Sequence, residues 1–160
     1  MKNSKSFLFI SFILAPFIAS SFENSPNEAA VASAHPLASK AGIEVLEQGG
    51  NAFDAAIAVS AALSVVEPYG SGLGGGGFFL LHRSEDGFQI MIDGREVAPS
   101  GASKNMYLDE AGDPIPRASR DGPLSSGIPG LPASLDHIAK YYGKLPLSVS
   151  LLPAIRYAEN

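Results

Sequence analysis

Two short stretches of this 160-residue chain hold residue types whose spacing could do chemistry. The first, GSGLGGGGFF at 70–79, satisfies G-x-G-x-x-G through Gly70, Gly72 and Gly75, and Asp93 follows where a ribose-binding acid would stand. The second, Asp93-Gly94-Arg95-Glu96, ends the apolar run FQIMID (88–93) and opens a loop, a place where sheets commonly present functional groups. The planar fork of a guanidinium matches a carboxylate in two parallel hydrogen bonds, so Arg95 is a candidate carboxylate clamp. The alternative is an internal ion pair with Asp93 or Glu96. Other chemistry is poorly served. His35, His82 and His137 lack metal-ligand spacing and read as capping, strand-surface and helix-surface histidines. Ser126, in SSGIPG, lies in a glycine-proline loop, and no G-x-S-x-G elbow is present. The absence of Cys excludes a disulfide framework, a thiolate metal site and a cysteine nucleophile. Thr is absent too.

The elements that must position these residues decide what the glycines do. PLASKAGIEVLEQGG, from Pro36, sets Leu37, Ala41, Val45 and Leu46 against Lys40, Glu44 and Gln48, a helical pattern that Gly49-Gly50 ends. Asn51 caps a second helix, NAFDAAIAVSAALSVVEP, with Asp54 in its first turn, where the helix dipole favours an acid. Apolar residues lie almost all round it, so it is expected to be buried; Pro68 stops it. FFLLHR (78–83) and FQIMID (88–93) read as the strands of a hairpin closed by Ser84-Glu85-Asp86-Gly87. Their near-continuous apolar character suggests cover on both faces. A proline-rich loop follows to Gly130, then a helix to Tyr142. The segment LPLSVSLLPAIRYAEN reads as a loop leading into a last helix still running at Asn160.

A dinucleotide site needs strand, glycine turn and helix in that order, with pyrophosphate at the helix N-terminus. Here a helix precedes the glycines and a strand follows them. The nearby helix end is a C-terminus, whose partial negative charge repels phosphate. The Rossmann reading is therefore set aside. Two remain open: a turn where bare backbones pack closely, or a row of exposed N–H groups lining an anion or carbonyl site.

Lys2 and Lys5 precede the apolar run Phe7–Ala19, and small residues follow at Ala19, Ser20 and Ser21. This is the pattern of a secretory signal peptide over residues 1–21, with cleavage near Ser21. A run interrupted by Pro16 is too short for a membrane anchor. Residues 22–30 read as a polar junction and 31–160 as the body of the protein. Eleven basic residues less Lys2 and Lys5 leave nine against 16 acidic ones, a net charge of −7. Such a surface makes nucleic acid and anionic lipid poor partners. The destination is the periplasm or the cell exterior.

Four segments, taken together and in order, resemble a known family. They are ASAHPLASKAGIEVLEQGGNAFDAAIAVSAALSVVEP, SGLGGGGFFLL, DGREVAPSGASKNMYLD and GIPGLPASLDHIAKYYGKLP. They are similar to the N-terminal part of the γ-glutamyltranspeptidase (glutathione hydrolase) large subunit, over about residues 31–160. The resemblance implies an N-terminal-nucleophile hydrolase, a layered α/β fold in the form of a four-layer αββα sandwich, of which this chain is an incomplete part. It implies a precursor that cuts itself into large and small subunits, the small subunit being this chain's partner. The small subunit's new N-terminal Thr attacks a γ-glutamyl amide, as in glutathione, and an acyl-enzyme passes the group to water or an amino acid. The family's arginine that binds the substrate α-carboxylate matches Arg95. The glycines at 72–77 match a structural segment near the central sheets. No metal or organic cofactor is implied.

This sequence departs from the family at Val97, where many relatives carry Thr, and at Phe53, where they often carry Val. With no Thr, it lacks the nucleophile, so these residues alone are expected to be inactive, with no catalytic residue among them. A related acylase of the cephalosporin type and a non-catalytic truncated remnant are the alternatives.

Overall fold

The computed structural model describes residues 29–160. The expected signal peptide and all of the polar junction but Ala29 and Ala30 lie outside the described residues. Four α-helices and one β-hairpin make up the fold, in the order α1 (Pro36–Glu47), α2 (Ala52–Val66), β1 (Gly77–Arg83), β2 (Phe88–Gly94), α3 (Leu131–Tyr141) and α4 (Leu147–Glu159). Among the described residues no helix is long and apolar enough to cross a membrane.

The junction of α1 and α2 is built from local chemistry. His35 caps α1, its Nδ1 accepting from the Leu37 N–H at 3.2 Å. The helix ends with Gly49 at φ 91°, where the Gly49 N–H donates to Leu46 and the Gly50 N–H to Val45, each at 3.0 Å. This is a Schellman close, and the left-handed residue at its centre is glycine because a Cβ there is strained. One residue later Asn51 opens α2 with a full capping box, Asp54 returning a bond to the Asn51 N–H at 2.8 Å.

Asp54 does more than cap. Its side chain is wholly buried, and it also accepts from the backbone N–H groups of Lys144 (3.0 Å) and Leu145 (3.3 Å) in the α3–α4 connection. Asn51 donates from the same place to the Tyr142 carbonyl at 2.7 Å. A buried carboxylate is tolerable because four orphan donors and acceptors from two distant turns are spent on this one corner.

α2 is the central helix, with Ala52 alone of its residues exposed. One side, Ala58, Ala61 and Ala62, meets Ala38, Ala41 and Val45 of α1 and Ala154 of α4. Small side chains let these three helices approach closely and still fill space. α1 is rotated slightly from its expected face: Ala38 and Gly42 are buried, whereas Leu37 is exposed at the margin. A Cβ on Gly42 would lie 2.8 Å from Val59, so that position must be small. The other side of α2 offers Ile57 to Leu81, Leu131, Leu135 and Ile138, joining α2 to the hairpin and α3. α4 starts at Leu147, earlier than expected, and carries Pro153 in its interior. Burial of Pro153 in the helix contact offsets the lost backbone bond.

The hairpin is antiparallel, with Phe78 opposite Asp93, Leu80 opposite Met91 and Leu81 opposite Ile90. Alternation sends Phe79, Leu81, Ile90 and Ile92 toward α2 and α3. The expectation of cover on both faces is not met among the described residues. Phe78, Leu80 and Met91, on the other face, are 58%, 71% and 60% exposed. The apolar composition records burial, and these residues supply cover for one face only.

Candidate functional site

Arg95 sits one residue beyond β2. Its backbone N–H donates to the Asp93 carboxylate at 3.0 Å, a local turn that uses the acid and leaves it facing the main chain. The guanidinium approaches only Glu96, Nε to Oε2 at 3.5 Å, and the Arg95 side chain is 70% exposed. A long, exposed contact of this kind is worth little. No hydrogen bond reaches the guanidinium among the described residues. The internal ion pair with Asp93 is thus not formed, and that with Glu96 is loose. Arg95 borders a shallow depression of about 270 Å³, shared with Asp93, Ser134 and His137.

The backbone under Arg95 is held far more tightly than its side chain. Gly76 lies so close to the loop that an added Cβ would fall 2.5 Å from the Gly94 carbonyl and 2.9 Å from the Glu96 nitrogen. Gly130 presses on the same Gly94 carbonyl and on that of Arg95, again leaving no room for a Cβ. Gly94 itself lies against the Ser134 hydroxyl, which is buried and donates to the Gly130 carbonyl at 3.0 Å. Beyond Glu96 the chain is pinned by a pair of bonds between Val97 and Ile128, at 2.8 and 3.2 Å. The glycine loop also serves α3: the Gly75 carbonyl accepts from the Leu131 N–H at 3.2 Å, so the helix start has a partner although Gly130 offers no capping side chain.

Of the two open readings of the glycines, close backbone packing is the one the geometry supports at Gly75 and Gly76. Their bare Cα atoms make room for Glu96, whose carboxylate stands 2.9 Å from where a Gly76 Cβ would be. Gly130 and Ser134 were not legible as part of this cluster; the signal that pointed to them was the second glycine of GIPG just before a helix. The histidines fall on a cap (His35), the exposed face of the hairpin (His82, beside Gln89 at 3.2 Å) and the exposed side of α3 (His137). His137 also borders the Arg95 depression. Among the described residues no three His, Asp or Glu side chains gather as a metal site. Ser126 is exposed, and no base approaches it.

Comparison with known proteins identifies relatives of the chain in sequence and in fold. The family profile described as Gamma-glutamyltranspeptidase matches residues 38–160. A glutathione hydrolase proenzyme of Bacillus subtilis is 43% identical over 131 residues, covering 81% of this chain and 22% of the relative. The crystal structure of Helicobacter pylori γ-glutamyltranspeptidase superposes with a TM-score of 0.77 at 46% identity, over 80% of this chain and 36% of that one. A cephalosporin acylase of Bacillus halodurans is less similar, with a TM-score of 0.65 at 34% identity, over 91% of this chain and 28% of that one. The chain spans roughly a fifth of the length of the curated relatives it matches, 22% in the Bacillus and Escherichia coli proteins. The chain belongs to the γ-glutamyltranspeptidase family, and its described residues are an incomplete part of the N-terminal-nucleophile hydrolase fold.

Proposed function

We propose that this chain is the N-terminal part of the large subunit of a γ-glutamyltransferase/hydrolase acting on glutathione and related γ-glutamyl compounds. Arg95 anchors the substrate α-carboxylate. The nucleophile is an N-terminal Thr of a small subunit cut from the same precursor, and its free α-amine serves as base. The γ-glutamyl carbonyl carbon bonds to the Thr oxygen, the amine leaves with a proton, and water or an amino acid then takes the acyl group. The single observation that supports this reading is Arg95 itself: a guanidinium presented to solvent from a rigidly held backbone, bound to nothing stronger than one loose carboxylate. Arg83 and Arg156, by contrast, each hold a carboxylate within 2.6 Å. The same reading uses no metal or organic cofactor and places the enzyme in the periplasm or outside the cell, after removal of residues 1–21.

Arg95→Ala in the full-length precursor tests it. Removing one partner of a desolvated charge pair costs about 2–5 kcal/mol, so kcat/KM on a γ-glutamyl anilide is expected to fall by roughly thirty- to several-thousand-fold. A change below about threefold reduces Arg95 to scaffold. The acylase reading is separated by assaying the wild type on an acyl-lactam; its lower likeness in both sequence and structure favours the γ-glutamyl substrate.

A further inference from the structure

The glycine run raises a question that its family likeness leaves open: which of its glycines matter, and for what. Gly72 and Gly74 have open space or bare contact around them: an added Cβ at Gly74 meets nothing within 4 Å, and at Gly72 only a backbone nitrogen at 4.0 Å. Gly76 is different, because the three atoms nearest an added Cβ all belong to the Gly94–Glu96 loop. Gly130 meets the same loop, through the carbonyls of Gly94 and Arg95. Gly127 touches it more lightly, 3.0 Å from the Glu96 Cβ. Gly76 and, more than fifty residues further along the chain, Gly127 and Gly130 therefore converge on the one peptide segment that carries Arg95.

We propose that Gly76 and Gly130, with Gly127 in support, form a backbone clamp that sets the position of the Arg95 guanidinium, and that they are positioning residues for carboxylate recognition. The physical reason is stiffness. The Arg95 side chain has almost no contacts to orient it, so its reach is set by its Cα. That Cα is fixed by carbonyls lying against bare glycine backbone, and backbone cannot swing aside as a side chain can. A methyl at Gly76 or Gly130 must shift the loop itself. Misplacing a binding group by about 1 Å costs up to about a hundredfold in rate. Ser134 completes the seat from below Gly94.

This inference rests on the reading of Arg95 as carboxylate anchor, and the experiment separates the two. The full-length, self-cleaved enzyme is prepared as Gly74→Ala, Gly127→Ala, Gly76→Ala, Gly130→Ala and Arg95→Ala. KM and kcat are measured on a γ-glutamyl anilide and on the 4-aminobutanoyl anilide, the same acyl chain without its α-carboxylate. KM for the γ-glutamyl substrate is expected to rise by less than about twofold for Gly74→Ala and about three- to tenfold for Gly127→Ala. For Gly76→Ala and Gly130→Ala a rise of about thirty- to a hundredfold is expected. The 4-aminobutanoyl substrate should be turned over equally by all. Adding Gly76→Ala to Arg95→Ala should cause no further loss, because the anchor it displaces is already gone.

Equal losses on both substrates, or a full additional loss in the double variant, mean that the glycines only stabilise the fold, and overturn the clamp. If Gly76→Ala and Gly130→Ala fail to fold, Gly127→Ala decides, and an unchanged KM there overturns the proposal. If Arg95→Ala leaves KM unaltered, the anchor reading falls and the clamp with it. If Arg95→Ala is damaging while the glycine variants are silent, the clamp alone falls.

Discussion

The two sides of this molecule are finished to different degrees. On the helical side α1, α2 and α4 close on one another, the buried acid Asp54 accepts from three backbone N–H groups, and Arg156 of α4 grips Glu44 of α1 through both carboxylate oxygens at 2.5 and 2.6 Å. On the hairpin side Phe78, Leu80 and Met91 stand exposed, and the long connection from Arg95 to Gly130 lies mostly on the surface. An exposed apolar face of this kind marks a surface meant to be covered. Arg95 stands on the open side, but Gly76 and Gly130 lie tightly against the backbone around it while its side chain is exposed. A binding group placed so can be rigid at its root and still be available.

The comparison predicts opposite responses to substitution on the two sides. The largest expected effect is on the open side and on activity alone. Arg95→Ala should lower kcat/KM by the amounts given above while leaving thermal unfolding of the full-length protein within about 0.5 kcal/mol, as for other exposed positions. Asp54→Ala should do the reverse. It strands backbone N–H groups in two turns and removes a cap, so about 3–5 kcal/mol of stability should be lost, read by denaturant unfolding. Asp54→Asn, which keeps one acceptor oxygen, should lose less.

Leu80→Asp asks whether the exposed hairpin face is covered in the complete protein. If it is, an unpaired charge is buried and stability should drop by about 2 kcal/mol or more; if stability is unchanged, the face stays in water. Within the core, Ile138→Val removes one methyl from a wholly buried side chain and should cost about 0.5–1.5 kcal/mol.

The smallest effect concerns pH. The hydrogen bond from Arg83, seconded by the Phe88 N–H, lowers the Asp86 pKa from its ordinary 3.8 to about 2. A carboxyl depressed in the folded state adds stability that is complete above its unfolded value and is lost as pH falls through the folded one. The Asp86 contribution should therefore fade between about pH 4 and pH 2. Its exposed position makes this a slight slope in an acid titration of unfolding, absent in Asp86→Asn.

Local structure was legible because its causes are local. The glycine pair after Gln48, the Asn51 cap and the turn at 84–87 each act within a few residues, and the elements begin and end close to where those signals stand. Where expectation and structure part, the missing cause is distant. The strands read as doubly covered because near-continuous apolar character reports burial without saying by what. α4 began early because Pro153 is held by packing against other helices, a contact no window of sequence contains. Asp54 was read as a favourable charge at a helix start, and that much is local. Its bonds to Lys144 and Leu145 join positions some ninety residues apart.

The same division runs through the candidate site. The amino-acid order alone singled out Arg95, since a guanidinium flanked by acids after an apolar strand is unusual wherever it folds. It also ruled out thiol chemistry and reversed the order a dinucleotide loop requires. Only the tertiary structure showed that Arg95 makes no ion pair with Asp93 and a loose one with Glu96, leaving the guanidinium largely in solvent; the clamp is the role proposed for it. It also brought Gly76 and Gly130, distant in the chain, against the backbone of the Gly94–Glu96 loop. Composition can report that a side chain is missing. Which backbone fills the vacated space depends on how distant segments pack.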